Sequence, residues 1–133
     1  MTGAGGVVVA AARALIGTPF RLHGRDPAYG VDCVGLICVA LGGAGVRIDG
    51  PSGYRLASGT IRQFEAAARA AKLEAATQAE AGDVLLCRID CRQWHLGIAS
   101  GDGLIHADAG LGRVVERPGA VPWPVVRCWR IAK

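Results

Sequence analysis

The chain has 133 residues, 51% hydrophobic and 20% charged, which suits one domain (residues 1–133) with its own core and excludes a disordered segment. Its formal charge of +4 is carried by basic residues that stand singly, and aromatics make up only 5%, so neither a nucleic-acid stripe nor a base-stacking platform is expected. No apolar run reaches the roughly 18 residues that a membrane span needs, so no membrane partner is expected either.

Residues 1–16 have no basic residue ahead of their apolar stretch, and Arg13 interrupts it, which argues against an export signal. Val8, Ala11, Ala12 and Leu15 lie at helical spacing and predict a helix over 5–16, stopped by Gly17-Thr18-Pro19. A polar loop, Arg21 to Val31, follows. Asp32 reads as the N-cap of a second helix from Cys33 to about Ala44, whose end is loosened by Gly42, Gly43 and Gly45. Residues 46–59 read as a loop and Thr60 to about Lys72 as an alanine-rich third helix. Gly82-Asp83 opens a strand over Val84–Ile89. Further strands are expected over Trp94–Ser100, Leu104–Ala107, Arg113–Glu116 and Val125–Ile131. Helices first and strands second imply an α+β fold, with N-terminal helices packed on a C-terminal antiparallel sheet.

The five cysteines cannot all pair internally. Cys33 and Cys38 sit about 140° apart around a helix and should not bridge. Cys87, Cys91 and Cys128 complete no recognised four-ligand zinc pattern, so free thiols are expected and no metal or other cofactor is.

Cys33 is the candidate nucleophile. In the first turn of a helix, unpaired backbone N–H groups and the helix dipole favour an anion and lower a thiol's pKa. The charge of Asp32 opposes this unless its oxygens point into the cap. His95 is the candidate base. Alternation puts it on one strand face with Gly97 and Ala99, and those small residues predict close packing by another element, with the start of the Cys33 helix as the expected one. His106 shares that face if the intervening turn has an even number of residues; a three-residue loop, Gly101–Gly103, would separate the two. On one face His106 could orient His95, the thiol, base and orienter logic of a cysteine hydrolase, with Asp108 in reserve. Trp94, Trp123 and Trp129 read as core or core-edge aromatics, with Trp123, flanked by prolines, a candidate cleft wall. Arg25 and Asp26 read as a solvated loop pair.

Gly17-Thr18-Pro19-Phe20, Val31-Asp32-Cys33-Val34-Gly35-Leu36-Ile37, Gly82-Asp83-Val84, His95-Leu96-Gly97-Ile98 and Ile105-His106-Ala107, in that order, resemble the NlpC-type cell-wall peptidases, which have a papain-like fold. The resemblance covers nearly the whole chain. It implies Cys33 as nucleophile, His95 as general base, His106 as orienting residue, no metal, and a peptidoglycan stem peptide as substrate. The bond it implies is the amide between γ-linked D-glutamate and a diamino acid. Many members have tyrosine at Phe20 and serine at Val34, so the second oxyanion donor falls to Tyr29 or His23. Arg25 and Asp32 join these as candidates for touching substrate. The insert Arg25-Asp26-Pro27-Ala28-Tyr29-Gly30 resembles the branch found in phages and gene-transfer agents, which implies cytoplasmic synthesis without a signal peptide, phage-like tail proteins as partners, and delivery to the wall by a phage-like particle. Three rival readings are an idle wall-binding or structural tail component, a thiol acyltransferase or amidase on another substrate, and a zinc module.

Overall fold

The computed structural model describes residues 3–49, 61–90 and 93–132. The first helix, α1, spans Ala4–Arg13. It ends sooner than its apolar spacing predicts, because Leu15 N–H bonds back to Ala12 O and Ile16 N–H to Arg13 O, tightening the last turn before left-handed Gly17. The polar loop holds a small antiparallel ribbon, β1 (Arg25–Asp26) on β2 (Gly30–Val31), which its sequence did not announce.

The second helix, α2, spans Cys33–Gly43. Asp32 caps it as expected: Oδ1 accepts from Gly35 N–H at 2.9 Å, and Oδ2 from His23 N–H at 2.8 Å. One carboxylate therefore fixes both the start of α2 and the loop before it. The third helix, α3, spans Ile61–Ala70 and buries Phe64 and Ala68; its expected first residue, Thr60, and the linker residues 50–59 lie outside the described residues, as does Cys91. Left-handed Lys72 turns the chain straight into β3 (Leu73–Ala75), a strand too short and exposed to leave a period-two signal.

The remaining strands are β4 (Val84–Asp90), β5 (Gln93–Ala99), β6 (Gly103–Asp108), β7 (Arg113–Pro118) and β8 (Val125–Ile131). With β3 they form one six-stranded antiparallel sheet in the order β3-β8-β4-β5-β6-β7. The fold is α+β, with its N-terminal helices on one face of that sheet. Val8, Ala12, Leu36, Ile37 and Leu41 meet Leu86, Leu96, Ile98, Ile105 and Trp129 in the main core. The other face carries a smaller cluster, Leu85, Cys87, Ala99, Leu104 and Cys128, covered by Ala76, Val121 and Trp123. No described helix is long and apolar enough to cross a membrane.

Gly35 lets α2 approach the loop it caps: a Cβ there would run into the carbonyl oxygen of Gly24 and press Val31 at 3.2 Å. Gly42, in the same helix, has nothing within 4 Å of that position. In urea denaturation, Gly35→Ala should therefore lose more than about 2 kcal/mol, while Gly42→Ala should stay level or gain up to about 1 kcal/mol. Equal effects would contradict the close approach.

Candidate active site

The register of β5 and β6 decides where the two strand histidines go. Ile98 pairs with Ile105 and Ala99 with Leu104, leaving Ser100–Gly103 as a four-residue connection. Ser100 N–H bonds Gly103 O at 2.9 Å, while the Ser100 hydroxyl oxygen accepts from Gly103 N–H at 2.9 Å. An even connection keeps His95 and His106 on one face, and they meet there: Nε2 of His95 lies 2.8 Å from Nδ1 of His106, with the rings nearly perpendicular at 87°. The reason expected for Gly97 needs correcting. A Cβ there would meet Leu104 Cδ1 at 2.6 Å, so the small residue admits a side chain of the next strand; α2 packs on the opposite, Leu96–Ile98 face.

Cys33 shares one pocket with both histidines, where the sheet opens. Beyond Ile98–Ile105, β5 and β6 form no further pairs among the described residues. Counting back by alternation from the Ser100–Gly103 bond, the Leu96 N–H points toward β6. With the ladder open there, it donates to the Cys33 sulfur. The first turn of α2 adds the N–H groups of Cys33 and Val34.

Those donors pull the thiol's pKa down, but they do not win. Cys33 is fully buried, and burial, with the Asp32 charge adding to it, pushes the thiol up to about 12. The lowered thiol expected from the helix start is thus absent from this resting arrangement, because desolvation outweighs the dipole. Burial and then the neighbouring His106 lower His95 to about 4, against the opposing charge of Asp108. His106 is lowered too, chiefly by burial, with Asp108 raising it and Arg117 lowering it. At neutral pH the trio rests as a neutral thiol beside two neutral imidazoles.

A pocket of about 720 Å³ is lined by Cys33, His95 and His106, with Phe20, Leu22, His23, Ile89, Gln93, Trp123 and the 107–110 turn. His23, left-handed at φ 61°, is exposed at its rim. Asp108 lines it and accepts from Leu111 N–H at 2.9 Å. Asp32 is buried behind it in the cap, while Arg25 on β1 and Tyr29, 70% exposed, do not line it. Gln93 and Ile89 were not singled out from sequence, yet alternation held the signal. Gln93 sits two residues before His95, and Ile89 two after Cys87, the cross-strand partner of His95.

The NlpC/P60 family pattern matches residues 17–123. Among solved structures, NlpC1 from Trichomonas vaginalis is 22% identical with a TM-score of 0.73, over 98% of this chain and 45% of that one. The present chain thus spans about half the length of that relative, and of the related NlpC2 (48%). The NlpC/p60 domain of the peptidoglycan hydrolase SagA is 32% identical, covers 86% of this chain and 88% of that one, and has a TM-score of 0.61. RipD from Mycobacterium tuberculosis, described as a non-catalytic NlpC/p60 domain protein adapted to peptidoglycan binding, is 19% identical over 99% of this chain and 100% of that one, with a TM-score of 0.65. Comparison with curated proteins finds no match.

A sealed thiol with a raised pKa has a chemical consequence. In the free protein, iodoacetamide should label Cys33 slowly at pH 7, and the rate should still be climbing above pH 9, where an ordinary thiol of pKa about 8.5 levels off. Peptide mapping by mass spectrometry reads this out. A rate that plateaus below pH 8 would mean that the thiol is ionised at rest.

Proposed function

The chain belongs to the NlpC/P60 family, and from that premise we propose that it is a cysteine endopeptidase cutting peptidoglycan stem peptides at the γ-D-glutamyl–diamino acid amide. The observation that carries this reading is the 2.8 Å bond between His95 and His106 beside the Cys33 pocket. For His95 to act as a base, Nε2 must hold the ring proton and give it in hydrogen bonding to His106 Nδ1, leaving Nδ1 of His95 free. That nitrogen takes the Cys33 proton as sulfur attacks the amide carbon. The charge on the carbonyl oxygen falls to backbone N–H groups at the start of α2, with His23 at the rim as the nearer of the two proposed second donors. The imidazolium then protonates the leaving amine as the C–N bond breaks. Water, deprotonated by the same nitrogen, next hydrolyses the thioester and frees the thiol.

Proton transfer from a thiol at about 12 to an imidazole at about 4 is strongly uphill. Turnover therefore requires bound substrate to supply the polar groups that burial withholds, so that the pair is stabilised as it ionises. Phe20, which lines the pocket without a hydroxyl, and Val34 in place of a polar residue leave bond choice to other groups. Phage-like delivery and tail-protein partners remain part of the proposal and rest on the insert at 25–30 alone.

A second reading has one observation in its favour. Cys33 is sealed and neutral, as a groove that binds peptidoglycan without cutting it could tolerate.

Digestion of purified muropeptides, followed by mass spectrometry, separates the two. A hydrolase releases new amino termini; Cys33→Ala should abolish this while keeping the fold. His95→Ala should cost about 10²–10⁴-fold in kcat/KM, and His106→Ala less, because orientation is partly recoverable. Retained muropeptide binding without cleavage by the unaltered protein would favour the binding reading, and turnover by Cys33→Ala would end the thiol mechanism.

A further inference from the structure

We infer that Trp123 is a positioning residue for the histidine pair: its indole closes the exposed side of the His95–His106 bond and keeps water from it. The ring centroid of Trp123 lies 5.4 Å from that of His95 and 5.6 Å from that of His106, with interplanar angles of 78° and 85°. The two imidazoles stand 4.9 Å apart at 87°, so three rings meet nearly at right angles, each presenting an edge to another's face. The indole is half-buried and lines the same pocket.

Its position in the fold puts it on the face that the helices leave open. The helices pack on the opposite face of the sheet, and on the histidine face the described cover is loop, with Val121 and Trp123 over the smaller cluster. Pro122 and Pro124 flank the indole and restrict the backbone on either side. Arg88 N–H bonds Pro124 O at 3.0 Å, tying the loop to β4. Trp123 is thus a fixed wall. A hydrogen bond between neutral rings is stronger and better aligned when water cannot compete for either nitrogen.

The groups that act electrically on the pair come from other elements. His95 has Cys87 across β4, Cys33 from α2, and His106 and Asp108 from β6. His106 adds Arg117 from β7, and His23 stands across the pocket. Trimming Trp123 changes none of these charges. It removes the two edge-to-face ring contacts and admits water where burial is the leading cause of the lowered imidazoles.

The test is a proton NMR titration of the imidazole signals in the Cys33→Ala protein, which needs no substrate. The chain has three histidines, and His23→Gln identifies the third signal. Both pair members should titrate below the ordinary value of 6.5. Trp123→Ala should raise at least one midpoint by about one unit, a tenfold gain in proton affinity, whereas Trp123→Phe, which keeps a ring, should stay near the parent. If Trp123→Ala loses the far-ultraviolet dichroism of the parent, Trp123→Gln, which admits water at similar length, should raise the midpoint in its place. Unchanged midpoints in either folded variant overturn the inference, as does an equal shift in Trp123→Phe. If the protein cleaves muropeptides, the acid limb of kcat/KM in Trp123→Ala should move up with the midpoint, and an unmoved limb also overturns it. Absence of cleavage overturns the hydrolase reading and leaves the titration to decide this one.

Discussion

The 2.8 Å contact between His95 and His106 depends on a four-residue turn. Because a strand alternates its side chains, one residue more or less between Ala99 and Leu104 would send the two imidazoles to opposite faces. The Ser100 hydroxyl, accepting from two backbone N–H groups of that turn, holds the count. Gly103 holds it too, since a Cβ there would collide with the carbonyl of Arg117 on β7. Arg13 at the end of α1 joins in, bonding Asp102 in the turn and Glu116 on β7. The Asp102 pair is solvent-exposed and contributes little energy, whereas the Glu116 pair is bidentate and partly buried, and together they tie helix, turn and edge strand.

A second constraint is where the β5–β6 ladder stops. Had it continued, Leu96 N–H would have gone to a carbonyl of β6, and strand would have closed over the thiol. Its early end frees that donor for the Cys33 sulfur and opens the pocket in one step. The site is therefore built on a defect in the sheet, made at the point where α2 presents its first turn.

Much of this was legible in the sequence, because its strongest signals were local. Asp32 before an apolar helical run could hardly be anything but a cap, and both its carboxylate oxygens are used so. Alternation put His95 and His106 on one face, pending only the turn length. The illegible parts are relations between distant segments. Gly97 looked like a seat for α2, and only the register reveals that Leu104 fills the space. β3 has three residues and no buried face of its own, so its pairing with β8 comes from tertiary placement. The pKa of Cys33 is illegible for the same reason: a helix start is visible in sequence, while the burial that outweighs it is the sum of everything packed around it.

Under the hydrolase reading, that burial bears on how a trio inert at rest becomes competent once occupied. A thiol held at about 12 and an imidazole at about 4 give almost no thiolate at neutral pH, so oxidants and stray electrophiles find little to react with. Yet every group that would stabilise charge is already in position. The N–H groups of Leu96, Cys33 and Val34 face the sulfur, and Asp108 favours protonated forms of both histidines. What opposes ionisation is chiefly desolvation, and a bound substrate would relieve that by adding polar groups to those of His23, Gln93 and Asp108 in a pocket otherwise walled by Phe20, Leu22, Ile89 and Trp123. The same dryness that suppresses the charges at rest would strengthen each fixed dipole once they form. Activation would then be tied to occupancy of the pocket.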